Sequence, residues 1–407
     1  MSSDSKSGQD AIRPSRRVSR LRMSLEDLTR HGMTPMTEKH YPEVLELYAE
    51  VFGAGKRDLL GQRFQRQYED APGRRSSDVT NWVLVRDDRV VGHFGFLLLR
   101  VKAGDQERIG TWAVDLFVHP DHRKGRGLAA LLATLDHSGE LPMGYGMAEV
   151  VFRSYLKRGY GGFKVKSHLI FPGRPWSALR LFDGGEGPWL KRNLQRCLKS
   201  VALFRQSRKM GSAVSDVSDT DSAIVEELDA AQISEAELDV FWSQLAPEYE
   251  FAVVRDAAYL NWRYNHLVDP ARFLVSRRDG RVVALAVLEH FQRQGSRVLQ
   301  ISELLMPKVQ RRRELPILMG RIFKVFRRLE ADLLWTEALP DEIREILEDM
   351  GFVELDPDRR EKMVYLDQNG DLDAAPADDS GGEWLFSAGD SDRSTGYARL
   401  PWTPHGA

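Results

Sequence analysis

The stretch Val114-Asp115-Leu116-Phe117-Val118-His119-Pro120-Asp121-His122-Arg123-Lys124-Gly125-Arg126-Gly127-Leu128-Ala129 reads as an apolar strand that meets a proline, a basic loop and then a helix. Pro120 ends the strand, because proline has no N–H to give to a sheet. Leu128-Ala129-Ala130-Leu131-Leu132 opens an apolar helical run directly behind the loop. Gly125 and Gly127 are free to take torsions that residues with a Cβ avoid, so successive N–H groups can turn into one concavity. The helix start adds unpaired N–H groups and the positive end of its dipole. Arg123, Lys124 and Arg126 bring positive charge to the same place. The stretch predicts an anion cradle suited to a pyrophosphate.

Two families of cradle are excluded by spacing. No Gly-x-x-x-x-Gly-Lys-Ser/Thr is present, so the loop is not that of a P-loop nucleotidase. The dinucleotide fingerprint Gly-x-Gly-x-x-Gly should follow a first strand, whereas several strands precede this loop. The pattern instead resembles the acyl-CoA-binding segment of the GNAT superfamily of N-acetyltransferases, Val-x-Pro-x-x-Arg-x-x-Gly-x-Gly/Ala. Val118-x-Pro120-x-x-Arg123 fits its first half, and Lys124-x-x-Gly127-x-Ala129 fits its second half one residue late. Either Arg123 or Lys124 therefore stands at the pyrophosphate position. The resemblance implies an α+β fold of αβα layers, with a mixed, mostly antiparallel sheet flanked by helices. It implies acetyl-CoA as co-substrate and no metal. The implied binding set is Leu116, Phe117 and Val118 from the strand, Arg123, Lys124, Gly125 and Arg126 from the loop, and Gly127, Leu128 and Ala129 from the helix start.

The totals are those of an ordinary globular protein: 407 residues, 42% hydrophobic, 29% charged, with a formal net charge of −2. That charge gives no global reason to expect nucleic acid. The single cysteine, Cys197, excludes an intrachain disulfide and a cysteine-based zinc site, and fits a reducing compartment. No apolar run approaches the ~20 residues of a membrane span. Arg13, Arg16, Arg17 and Arg20 have no apolar segment behind them, so the N-terminus does not read as a secretory signal and a cytoplasmic location is expected.

Outward from the cradle, residues 1–22 read as a disordered tail and 23–185 as the acyl-CoA-binding domain. Within it, Val44, Leu45, Leu47, Tyr48, Val51 and Phe52 recur at helical spacing, and a second helix is expected over Leu59–Tyr68. Trp82–Val85, the turn Arg86-Asp87-Asp88-Arg89 and Val90–Leu99 predict a β-hairpin. Residues 186–222 are a basic amphipathic helix and linker. The part from 187 to 210 suits either peripheral contact with anionic lipid or packing across two domains. Residues 367–407 read as a mostly disordered acidic tail, with an island at Trp384-Leu385-Phe386.

A looser copy of the first domain is expected over 223–366. Arg278-Asp279-Gly280-Arg281-Val282-Val283 echoes Arg86-Asp87-Asp88-Arg89-Val90-Val91, and Leu260–Tyr264 echoes Phe64–Tyr68. The copies part after Met306-Pro307, where Lys308-Val309-Gln310-Arg311-Arg312-Arg313 has no glycine. The second copy thus reads as degenerate. Its Trp262-Arg263-Tyr264 followed by a strand–turn–strand also looks like the tandem GNAT proteins of bacterial cell-surface polysaccharide clusters. That likeness implies an amino sugar, as a sugar nucleotide or in a lipid-linked glycan, as acceptor.

Transfer of an acyl group from a thioester to an amine needs a neutral nucleophile, a polarised carbonyl and a proton for the leaving thiolate. The resemblance makes Tyr155 the leaving-group acid, since Tyr155-Leu156-Lys157-Arg158-Gly159-Tyr160 places a tyrosine four residues before a Gly-aromatic pair. Asp115 is the ionisable residue inside the apolar strand and is the candidate base. His93, His119 and His122 are alternatives, and water is another. Two readings follow: an acyl-CoA-dependent N-acyltransferase with a small-molecule amine acceptor, or a catalytically silent CoA-binding or scaffold protein.

Overall fold

The computed structural model describes residues 23–52, 64, 67–68, 70–123, 127–166, 168–173, 224–265, 271–293, 295–337, 340–354, 360–367, 383–387 and 390. The expected N-terminal tail, the basic stretch 187–210 and most of the acidic tail lie outside the described residues. In chain order the elements are α1 (Leu25–Arg30), β1 (Met33–Pro35), α2 (Tyr41–Phe52), β2 (Asn81–Arg86), β3 (Arg89–Ala103), β4 (Gln106–Val118), α3 (Gly127–Ala133), β5 (Leu141–Tyr145), α4 (Glu149–Lys157), β6 (Gly161–Lys166) and β7 (Leu169–Pro172). There follow β8 (Ile224–Leu228), α5 (Glu235–Leu245), β9 (Tyr249–Val253), α6 (Ala257–Tyr264), β10 (Arg272–Arg278), β11 (Arg281–Arg293), β12 (Ser296–Leu305), α7 (Arg311–Arg328), β13 (Leu333–Thr336), α8 (Asp341–Asp349), β14 (Val353–Glu354), β15 (Arg360–Tyr365) and β16 (Glu383–Leu385).

These elements form two compact units. The first takes the chain to Val165 together with Tyr249–Val254 and Arg360–Trp384. The second takes Lys166–Glu248, Arg255–Arg359 and the chain from Leu385. Each unit is a mixed sheet flanked by helices, as the sequence implies.

In the first unit the sheet runs β1-β2-β3-β4-β5-β15-β6, with β9 on the far end of β3. Asp87 and Asp88 both have positive φ, 48° and 57°, which gives the β2–β3 hairpin a turn whose twist matches its strands. Sheet faces and helices meet in a core that includes Trp82, Phe94, Phe96, Leu131, Leu135 and Tyr155. Each large side chain removed from water there contributes roughly 1.5–3 kcal/mol. In the second unit the order is β14-β7-β13-β12-β11-β10-β8. Its hairpin turn repeats the device with Asp279 and Gly280 at φ 49° and 74°. The apolar stripe of α7, with Leu315, Leu318, Ile322 and Phe326, covers Leu274, Ala286 and Leu299 of the sheet.

The units are not contiguous stretches, and the expected boundaries 23–185 and 223–366 do not coincide with them. In the first sheet the strand beside β5 is β15, antiparallel through Met363↔Tyr145 to Tyr365↔Met143. In the second sheet the strand beside β13 is β7, antiparallel through Leu333↔Pro172 to Thr336↔Leu169. Strands thus cross between the halves: β7 of the first half joins the second sheet, while β9, β15 and β16 of the second half join the first. A short apolar segment such as Leu169–Pro172 pairs equally well with any matching edge, so local pattern does not reveal its destination.

Candidate functional site

The site is set by the end of β4. Its parallel pairing with β5 runs only from Gly110↔Leu141 to Ala113↔Gly144, although β4 continues to Val118. On the other side it pairs with β3, where Val114 faces Gly95 and Phe117 faces His93. Asp115 and Leu116 therefore oppose Phe94 alone, which is a β-bulge, and Asp115 has φ +52°. A bulge turns a strand away from its neighbour. Among the described strands, Phe117 and Val118 are paired with β3 only. Their other side can pair with an extended amide-bearing chain or donate to a carbonyl oxygen.

Asp115 is half-buried, and its carboxylate faces inward. Oδ2 accepts from Tyr68 Oη at 2.5 Å and from Gln67 Nε2 at 3.4 Å. The Asp115 carbonyl accepts from Tyr48 Oη at 3.1 Å. His93 is fully buried, with Nδ1 at 2.9 Å from Tyr48 Oη and Nε2 at 3.0 Å from Asn81 Oδ1. Both ring nitrogens are thus held inside the structure. His119 and His122 lie on the turn after β4, where His119 Nδ1 accepts from the Asp121 amide at 3.3 Å. Helical spacing accounts for Tyr48, the helix expected over Leu59–Tyr68 ends on Tyr68, and no sequence signal singles out Gln67 or Asn81. No spacing rule links positions so far apart in sequence.

The cradle's Lys124, Gly125 and Arg126 lie outside the described residues. Arg123 is exposed, its Nε donating to the Val118 carbonyl at 3.0 Å and its guanidinium 5.9 Å from the Phe117 ring. This contact ties Arg123 back to the strand end. Phe117 and Val118 are buried and Leu116 half-buried; Gly127 is buried, Leu128 half-buried and Ala129 exposed. Gly127 corrects one expectation, because its backbone is not in the left-handed region. A Cβ there would lie 3.0 Å from Leu84 Cδ2, so the glycine serves a close approach of α3 to β2.

Tyr155 sits on α4 with its side chain enclosed, 1% exposed, and its hydroxyl donating to the Leu132 carbonyl at 3.4 Å. Burial pushes the phenol well above its ordinary pKa of 10, and the Asp136 carboxylate adds to the shift. The Tyr160 ring lies 4.8 Å away, and Tyr160 Oη donates to Asp136 Oδ1 at 2.8 Å. Arg158 closes the group by an ion pair to Asp136. The structure thus does not bring Tyr155 and Asp115 together by any hydrogen bond; they stand on different elements, α4 and β4.

The second unit repeats the frame with different contents. β12 pairs with β13 only as far as Ile301↔Thr336, and the extra residue Ser302 makes the matching bulge. Where the first unit has its glycine loop, Arg311 is buried and pairs with Glu342 at 3.4 Å. Glu314 is fully buried, accepts from Ser276 Oγ at 2.9 Å and is ion-paired with Arg278. The position matching Tyr155 is Leu347, a core residue. Among the described residues no group of His, Cys, Asp and Glu is placed to hold a metal ion, and no helix is long and apolar enough to cross a membrane.

Residues 33–162 match the acetyltransferase (GNAT) domain family. No curated protein matches the sequence. Among solved structures, a conserved protein of unknown function from Enterococcus faecalis V583 is similar at TM-score 0.51 and 11% identity, over 82% of this chain and 71% of that one. A GCN5-related N-acetyltransferase from Anabaena variabilis ATCC 29413 is similar at TM-score 0.50 and 11% identity, over the same shares. At such identities the likeness is one of fold. The matched segment reaches from β1 to β6 and holds the bulge, the loop and Tyr155, so the likeness to the GNAT acetyltransferase domain lies in the first unit.

Proposed function

We propose that the chain is an acetyl-CoA-dependent N-acyltransferase whose first unit transfers the acyl group directly to a primary amine. The observation that carries this is the bulge at Asp115 and Leu116, after which Phe117 and Val118 pair, among the described strands, with β3 alone, immediately before a basic loop and a helix start. The thioester of acetyl-CoA supplies an activated acyl carbon. The strand end 116–118 would align the pantetheine amides, and Arg123, Lys124, Gly125, Arg126, Gly127, Leu128 and Ala129 would receive the pyrophosphate.

Asp115 takes one proton from the acceptor ammonium, directly or through one water. The nitrogen lone pair then bonds to the carbonyl carbon while the C–S bond breaks, aided by main-chain N–H groups of the strand end. Tyr155 gives its phenolic proton to the departing sulfur, a transfer that its raised pKa makes uphill and that reprotonation draws to completion. The second proton lost by nitrogen goes to solvent, from which Tyr155 is reprotonated, and Asp115 returns its proton to solvent before the next turnover. A hydrogen bond of 3.4 Å to Leu132 is at the long limit for O–H donors, so the phenol gives up little on turning to a better acceptor.

The second unit is read as a degenerate copy of the first. It keeps the hairpin turn and the bulge, but fills the loop position with paired arginines. The acceptor class includes amino sugars, which the resemblance to polysaccharide-cluster proteins favours. Calorimetric titration with acetyl-CoA, followed by thiol release with a panel of primary amines, tests the proposal. Binding together with amine-dependent thiol release is expected. Binding without release would leave the silent CoA-binding reading, and absence of binding would remove both.

A further inference from the structure

Asp115 is gripped from two directions by side chains that the reaction scheme does not use. Tyr68 and Gln67 hold its carboxylate, and Tyr48, backed by His93 and Asn81, holds its carbonyl. Gln67 and His93 are 0% exposed, Tyr68 1% and Tyr48 3%. Burying that many polar groups is costly unless they satisfy one another, and a satisfied network fixes its members in one arrangement. A bulge by itself does not require any of this. Glycine would give the left-handed torsion without strain, whereas a residue with a Cβ at φ +52° costs on the order of 1 kcal/mol or more.

Gly95 supplies an independent observation. A Cβ at this position would lie 2.0 Å from Tyr68 Oη. The Gly95 backbone is not left-handed, so its missing side chain makes room for that hydroxyl. Strand β3 thus leaves a gap opposite Val114, and the phenol that fills the gap points at the Asp115 carboxylate.

We propose that Tyr68 is a positioning residue for acyl transfer: its hydroxyl, with the Gln67 amide, fixes the Asp115 carboxylate at the bulge, where the acceptor ammonium gives up its proton. The inference rests on the transferase reading above. Tyr68 does not exchange a proton with the substrate; it restricts the carboxylate to one rotamer, so that the proton acceptor is in place when the amine arrives. Its effect must therefore vanish when the carboxylate is absent.

The experiment is a double-mutant cycle on the full chain, read as thiol release from acetyl-CoA with the best amine of the panel. Tyr68→Phe removes only the hydroxyl. It is expected to lower kcat about tenfold while the KM for acetyl-CoA stays within about twofold. In an Asp115→Asn background the same change should alter kcat by less than about twofold. An unchanged kcat in Tyr68→Phe, or an equal loss in both backgrounds, overturns the proposal. If Tyr68→Phe loses its cooperative melt, Gln67→Met takes its place in the cycle under the same criteria. A wild type that shows no amine-dependent release overturns the transferase reading and this inference with it. A wild type that turns over beside a silent Tyr68→Phe change overturns the inference alone.

Discussion

Arg255 Nε donates to Glu303 Oε2 at 2.9 Å, and both side chains are completely enclosed within the second unit. Arg255 Nη2 also reaches Asp390 Oδ2 at 2.6 Å and Ser387 Oγ at 3.1 Å, while Tyr264 Oη donates to Glu303 Oε1 at 2.9 Å. One cation thus serves two buried carboxylates drawn from distant parts of the chain. Removing it strands both in a low-dielectric interior, and loss of one partner of such a pair costs about 3–5 kcal/mol. Arg255→Ala is expected to lower the unfolding free energy by at least that amount in urea denaturation. A variant as stable as the wild type would contradict the account.

The same cluster makes stability depend on pH. Burial pushes the Asp390 carboxyl up from 3.8 to about 6, against the pull of Arg255 and with repulsion from Glu303. The folded state therefore binds this proton more tightly than the unfolded state. Its contribution to stability is complete below about pH 4 and is lost as pH rises through about 6. Asp390→Asn removes that dependence. Its unfolding free energy relative to wild type should rise between about pH 4 and 6 and level off above, a trend that denaturation at several pH values will show or refute.

At Gly127 the two roles of a glycine can be separated. Its torsion is ordinary and a Cβ would press on the tip of Leu84, at 3.0 Å, with Arg86 Nη2 at an ordinary 3.7 Å. Gly127→Ala should cost on the order of 1 kcal/mol in stability and leave acetyl-CoA affinity within a few-fold. Gly127→Glu puts a carboxylate where a pyrophosphate is proposed to lie and should abolish binding in a calorimetric titration. Equal affinities for the two variants would place the diphosphate elsewhere.

Tyr155→Phe removes one long hydrogen bond to Leu132, so stability should change by less than about 1 kcal/mol. Loss of the phenolic proton should nevertheless lower kcat about ten- to a hundredfold. Thermal melts beside steady-state kinetics check the pair of outcomes. A variant with full kcat would return Tyr155 to the core as a packing residue.

Much of the frame was legible in the sequence because its signals are local. Asp87-Asp88 and Asp279-Gly280 between apolar runs announce two hairpins, and the side chains needed for those turns lie next to each other. Asp115 stood out as an acid in an apolar strand, though its bulge did not, since an extra residue leaves no mark until the partner strand is known. Tyr68, Gln67, Tyr48 and Asn81 were not legible as a group, because Asp115 alone joins them, reached directly by the first three and by Asn81 only through His93 and Tyr48. Gly127 was read for its torsion and turned out to matter for its volume. The exchanged strands β7 and β15 were invisible for a related reason: β-pairing is decided by edges, and a sequence carries no address for an edge.

That exchange orders events during biosynthesis. Residues emerge from the ribosome in sequence, so β5 and β6 are made long before Arg360–Tyr365, the strand that lies between them. For that interval two unpaired strand margins are open to any passing polypeptide, the circumstance in which nascent chains need a holding chaperone. The sheet of the first unit is complete only when the far end of the message has been translated.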